Sequence, residues 1–263
     1  MEQHHRDTLD RFVARYGEDP HVLAILLGGS IAHGFAKPDS DIDALIVVSD
    51  EDHARRKQAN KLAFSIRDPE ICTYEGGYVD CKVVTIAFLE TIAEKGSDAA
   101  RYAFKDAAVV FSRVGDLRDL LERVTRFNDA ERDARRHRFV CQLLAWKWYF
   151  SEAVRKDSSY LLHLATHKVM LFACRLVLNE NRRLYPYHKW LINETLRAPA
   201  RPANFDAQLA LIGESPTVDR VNAFVASVLG FVGLGESDVD WPNQFLADSE
   251  FNWLYHQTPV DDL

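Results

Sequence analysis

The pair Asp41-x-Asp43, with Asp80 further along the chain, is the pattern in this sequence that could do chemistry. Side chains alternate across a strand, so two aspartates one residue apart stand on the same face. Their like charges repel, and a hard cation offsets that cost, since Mg²⁺ takes one or two protein carboxylates together with substrate phosphate oxygens. Upstream, Gly28-Gly29-Ser30 follows the apolar run Val22–Leu27, as a buried strand breaking into a turn would. Glycines there let backbone N–H groups approach a ligand closely and the serine adds a hydroxyl, which together make a phosphate cradle. A third acid is expected, to serve a second metal or to take the proton of an attacking hydroxyl. Asp80 fits best, because it opens the β-branched run Val79–Thr85 and shares a face with Lys82; Glu75, ahead of Gly76-Gly77, is the second choice. His33, in the turn, reads as a helix-start residue near the phosphates rather than a catalyst.

The elements that must position these residues follow from periodicity. Leu9, Phe12, Val13 and Tyr16 make one face of an N-terminal helix, and Val22–Leu27, Ile42–Val48 and Tyr78–Thr85 read as strands, with a fourth expected near Ala107–Phe111. Helices are expected over Glu51–Phe64 and Ile86–Glu94. Beyond Gly115 the texture changes: Pro and Gly almost vanish up to Asn179, while Leu, Ala, Arg and aromatics recur at three- and four-residue spacing. The pattern predicts helices near 116–127, 131–155, 158–179, 187–197, 203–213, 217–233 and 244–255, with Asp261-Asp262-Leu263 fraying at the end. The expected architecture is an α/β (α+β) domain with a small mixed sheet over residues 1–114, followed by an all-α helical bundle over 115–263.

Composition bounds the function. The 263 residues, 47% of them hydrophobic and with only 12 Gly and 9 Pro, can build one large core or two ordinary ones and do not fit a disordered or fibrous chain. No apolar run reaches the length of a membrane span, no secretory signal is visible, and the four cysteines form no C-x-x-C pair, so a cytoplasmic protein with reduced thiols is expected. The net charge of −7 disfavours a general nucleic-acid binder. It is unevenly spread: residues 113–201 carry a net +8 and residues 202–263 a net −9. A local basic field suits an anionic ligand, or else it is a set of solvated helix faces. His163 and His167 lack a third metal ligand, and Arg132 with His137, in a loose Arg-x4-His spacing, reads as a charged helix face.

Gly29, Ser30, Asp41, Asp43 and Asp80 together resemble the nucleotidyltransferase superfamily related to DNA polymerase beta, whose signature is a Gly-Ser turn, a gap of about ten residues, Asp-x-Asp on a strand and a later third acid. The finer pattern of Ser30, Ala32, Gly34, Ser40, Asp41 and Asp43 is most similar to bacterial aminoglycoside-type nucleotidyltransferases, which pair this domain with a helical bundle. The resemblance implies transfer of a nucleoside monophosphate, AMP from ATP, to a hydroxyl of a small acceptor such as an aminoglycoside-like antibiotic, with release of pyrophosphate. It implies two Mg²⁺ ions held by Asp41, Asp43 and Asp80, with Asp80 either a metal ligand or the base, and Gly29, Ser30 and Ser40 in the nucleotide site. Lys189 is the candidate for a triphosphate contact from the helical half, with Lys168 and Lys147 behind it. Membrane and nucleic-acid partners are not expected. The competing readings are a nucleotidyltransferase acting on protein or RNA, and a nucleotide-binding regulatory or antitoxin-type module.

Overall fold

Val22–Leu27 and Ala44–Val48 are unbroken apolar runs that need cover on both faces, and they become neighbouring inner strands. β1 (Val22–Leu27) pairs antiparallel with β2 (Ile42–Val48), in a five-stranded mixed sheet of order β3-β4-β2-β1-β5. β4 (Val79–Thr85) runs parallel to β2, while β3 (Ala63–Ile66) and β5 (Ala108–Ser112) pair antiparallel at the two edges. The structure is a computed structural model describing residues 1–255 and 260, so the expected fraying of Asp261-Asp262-Leu263 lies outside the described residues.

One face of the sheet packs Val22, Ile25, Ile42, Ile46, Val79 and Val83 against Leu9 and Phe12 of α1 (Gln3–Tyr16). The other packs Ala24, Leu26, Leu45 and Val47 against Leu89 and Ile92 of α4 (Ile86–Lys95) and against α6 (Leu117–Val124). Between β1 and β2 lies the single turn α2 (Gly29–Ala32), and α3 (Asp50–Gln58) follows β2. The helix expected through Phe64 stops early. Asn60, at φ 54, ends it, because a short polar side chain tolerates the left-handed region, and Ala63–Ile66 then pairs with β4 as an edge strand.

The chain divides into two compact units, Met1–Gly96 with Ala100–Arg126, and Ser97–Ala99 with Phe127–Leu263. The division falls within α5 (Asp98–Tyr102), and α6 belongs to the first unit because Leu117, Leu120, Leu121 and Val124 complete the core beneath β1 and β2. The second unit is helical, built from α7 (Arg132–Arg155), α8 (Ser159–Glu180), α9 (Leu191–Leu196), α10 (Phe205–Glu214), α11 (Val218–Val232) and α12 (Trp241–Phe245). Its core includes Phe139, Phe150, Phe172, Phe205 and Phe224. By length and composition α8 could cross a membrane, with a mean hydropathy of 1.5, yet most of that stretch is buried in its own unit.

Much of the basic charge of residues 113–201 is neutralised inside this unit. Arg132 and Arg136 both hold Glu180 at 2.5 Å, Arg138 holds Asp248 at 2.8 Å and Arg183 holds Glu194 at 2.7 Å. Arg135 pairs with Asp98 at 2.7 Å, with both side chains nearly inaccessible. Arg132 is thereby committed to an ion pair, and the expected basic field is largely a structural network.

Candidate active site

Strand directions bring every residue of the sequence pattern from the first unit to one end of the sheet. β2 and β4 begin there, β1 and β3 end there, and β5 begins there. In strand order the row reads Ser65 and Arg67 beside β3, Tyr78 and Asp80 at β4, Asp41 and Asp43 at β2, Gly28–Ser30 after β1, and Asp106 before β5.

The turn after β1 is built around Asp43. The Gly28 N–H donates to the Asp43 carbonyl at 2.9 Å. Gly29 sits at φ +62, and a Cβ placed on it would lie 1.6 Å from Asp43 Oδ2 and 2.7 Å from Asp43 Cβ. Only glycine fits, on both conformational and steric grounds. Ser30 is buried at the start of α2, and its carbonyl accepts the Phe35 N–H at 2.8 Å. His33, just past α2, lays its ring 4.7 Å from that of Tyr102 and places Nδ1 3.3 Å from Asp106 Oδ2.

Asp43 and Asp80 are direct register partners on the parallel strands, so their side chains leave the same face, as Asp41 does two residues before Asp43. Ser65, the register partner of Asp80 on β3, donates its hydroxyl to Asp80 Oδ1 at 3.1 Å. Two tyrosines that the sequence reading passed over hold the segment carrying Asp41. The Asp41 carboxylate near the Tyr78 hydroxyl raises the phenol above its ordinary range. Tyr74 donates to the Ser40 carbonyl at 2.6 Å, and burial, with the charge of Asp41 adding to it, pushes its hydroxyl up to about 12. Gly77 is glycine because the Tyr74 ring lies where its Cβ would be, at 2.6 Å. The signal was present in Tyr74-Glu75-Gly76-Gly77-Tyr78, where a glycine pair between aromatics marks a turn with rings folded over it. From the other side His4 of α1 reaches the Pro38 carbonyl at 2.8 Å, and its ring lies 4.6 Å from Tyr74.

The remaining candidates are dispersed. Ser40 accepts the Lys37 N–H through its hydroxyl at 2.9 Å, and Glu75 is exposed on the Gly76 turn. The three lysines lie in the helical unit. Lys189 stands 5.1 Å over the Trp190 ring, Lys168 stands 5.7 Å over Trp146, and Lys147 pairs with Glu236. Among the described residues no three His, Cys, Asp or Glu side chains gather closely enough to enclose a metal by themselves. The donor set is nevertheless that of a hard cation shared with phosphate, namely two aspartates on one face beside a turn whose backbone touches one of them.

Residues 6–95 match the family model of the nucleotidyltransferase domain. Among solved structures the chain is similar to a nucleotidyltransferase-like protein from Exiguobacterium sibiricum at 12% identity and a TM-score of 0.47, covering 96% of this chain and 80% of that one. It is also similar to spectinomycin adenyltransferase AAD(9) from Enterococcus faecialis, whose structure holds ATP and spectinomycin, at 15% identity and a TM-score of 0.32, covering 91% and 93%. No curated protein sequence matches.

Proposed function

We propose that the chain, whose residues 6–95 match the nucleotidyltransferase domain, is a nucleotidyltransferase that moves a nucleoside monophosphate, AMP from ATP, to a hydroxyl of a small acceptor and releases pyrophosphate. The observation that carries the reading is the register pairing of Asp43 with Asp80 on one face, with Asp41 beside them and the Gly29 backbone against the Asp43 carboxylate.

In this reading Gly29 and Ser30 hold the β- and γ-phosphates through backbone N–H groups and the serine hydroxyl. Ser40 supports the nucleotide site through the turn it closes with Lys37. Asp41 and Asp43 would hold Mg²⁺ when it is bound, and Asp80 either takes the proton of the attacking hydroxyl or would hold a second ion. Bound Mg²⁺ supplies neutralisation of the triphosphate charge. The acceptor oxygen forms a bond to the α-phosphorus, the bond to the bridging oxygen of the β-phosphate breaks, and the electron pair leaves with pyrophosphate. Ser65, donating to Asp80, keeps its carboxylate fixed while the proton is taken.

The test is pyrophosphate release from each of four NTPs with Mg²⁺, comparing wild type with Asp43→Ala across hydroxylated acceptors. Acceptor-dependent release abolished by the substitution is the expected result. Full activity in Asp43→Ala would sink the mechanism, and NTP binding without release for every acceptor would favour a regulatory module.

A further inference from the structure

We infer that Arg67 and Tyr78 form the recognition element for the acceptor, and that this acceptor carries an anionic group, a carboxylate or a phosphate, beside its reactive hydroxyl. The inference rests on the nucleotidyl-transfer reading above. In phosphoryl-type transfer the attacking and leaving oxygens stand roughly in line on opposite sides of the phosphorus. The leaving pyrophosphate belongs to the Gly29–Ser30 turn after β1, and the carboxylates of β2 and β4 occupy the middle of the row. The hydroxyl therefore arrives from the remaining flank, beyond β4, where β3 ends.

That flank presents Ser65, Arg67 and Tyr78. Ser65 is committed to Asp80. The Arg67 guanidinium lies 4.5 Å from the centroid of the Tyr78 ring, so it rests over the face of a half-buried phenol. Arg67 is exposed, and among the described residues no carboxylate pairs with it. Its neighbours in the same unit differ, since Arg15 holds Asp68 at 2.8 Å and Arg56 holds Asp52 at 2.5 Å. A guanidinium held over a ring offers a fork of donors matched to a carboxylate or phosphate, and it needs less further ordering on binding than a free one. Charge argues the same way. An anionic acceptor must approach three aspartates, and a fixed cation on the approach side offsets that repulsion, whereas a polycationic acceptor would gain nothing from Arg67 and be repelled by it.

The test uses the full chain loaded with Mg²⁺ and α,β-methylene-ATP, which cannot transfer, and measures binding of glycerol 3-phosphate, glycerate, glycerol and a polycationic aminoglycoside by calorimetry; pyrophosphate release with ATP runs in parallel. Glycerol 3-phosphate or glycerate is expected to bind well above glycerol, and the stronger of the two identifies phosphate or carboxylate. Arg67→Gln is expected to weaken that binding by about 10- to 100-fold, through the acceptor KM, with the ATP KM unchanged. Arg67→Glu is expected to turn the preference toward the aminoglycoside. Anionic probes no better than glycerol, an aminoglycoside preferred by wild type, or no effect of Arg67→Gln overturns the assignment while leaving nucleotidyl transfer intact. Failure of the ATP analogue itself to bind removes both.

Discussion

Gly29→Ala separates two penalties that structures usually confound. Gly29 and Gly34 both have left-handed backbones, at φ +62 and φ +73, but a Cβ on Gly34 meets nothing within 4 Å whereas one on Gly29 meets the Asp43 carboxylate at 1.6 Å and the Asp43 Cβ at 2.7 Å. Alanine in that region costs about 1–2 kcal/mol, and this is the whole expected effect at Gly34. At Gly29 the carboxylate can rotate away but the Asp43 Cβ cannot, so the turn or the start of β2 has to shift, adding about 1–3 kcal/mol as overpacking does. A total of roughly 2–5 kcal/mol, at about 4 °C per kcal/mol for a unit of this size, lowers the melting temperature of the first unit by roughly 8–20 °C. A displacement of the Asp43 carboxylate by about 1 Å costs turnover about 100-fold. The assay pairs thermal melts of Gly29→Ala and Gly34→Ala with ATP-dependent pyrophosphate release at fixed acceptor. Gly34→Ala should lose a few degrees and keep its kcat. If Gly29→Ala melts and turns over like Gly34→Ala, the contact between the turn and Asp43 does not govern the site, and the reasoning fails.

Asp80→Asn keeps the Ser65 hydrogen bond but cannot accept a proton, so kcat should fall about 10²- to 10⁴-fold with the protein still folded; unchanged kcat in a single-turnover experiment would remove Asp80 from the chemistry. Tyr74→Phe leaves the Ser40 carbonyl without its donor and should cost about 1–3 kcal/mol in denaturant unfolding, while raising the Mg²⁺ concentration needed for half-maximal rate. Arg135→Met strands the Asp98 carboxylate in the helical unit and should destabilise it by about 3–5 kcal/mol, with most of that loss recovered when Asp98→Leu is added. Burial works to raise the Asp52 carboxyl, but hydrogen bonds from Arg56 and then Arg55 outweigh it and hold the group below its usual range. A depressed carboxyl stabilises the fold above its unfolded pKa, and that contribution disappears as pH falls through the folded value. Melting temperature followed from pH 7 downward should therefore fall below about pH 4, and Asp52→Asn should flatten that limb.

The parts of the fold that were legible are those whose sequence pattern coincides with a full layer of burial. Val22–Leu27 and Ala44–Val48 are uniformly apolar because both faces of the inner strands are covered, and α7, α8 and α11 repeat apolar residues because each is enclosed by neighbours. Ala63–Ile66 was not legible, since a four-residue edge strand with alternating exposure has no apolar signature and exists through its pairing with β4. At the site, Asp41, Asp43, Gly29 and Ser30 could be found because they fall within fifteen residues of chain. The register of Asp43 with Asp80 could not, because it depends on how two strands separated by a helix and an edge strand align. Tyr74 was hidden for a related reason: nothing in a tyrosine's type says that its hydroxyl will reach a segment more than thirty residues away.

The sheet's strand order also bears on how such a protein can change. The Gly29 end of the row is locked, because Gly29 and Asp43 each fill space the other needs, and a substitution at either disturbs both. The far end is carried by β3, a short outermost strand whose residues are at most half-buried and have one neighbour rather than two. Phe64 and Ile66 pack against the core beneath α1, but Ala63 and Ser65 are exposed, as is Arg67 just past the strand. On the acceptor assignment inferred above, a lineage can exchange the partner that receives the nucleotide by drifting at the exposed Arg67, while Gly29 and Asp43 stay under a constraint they cannot escape one residue at a time.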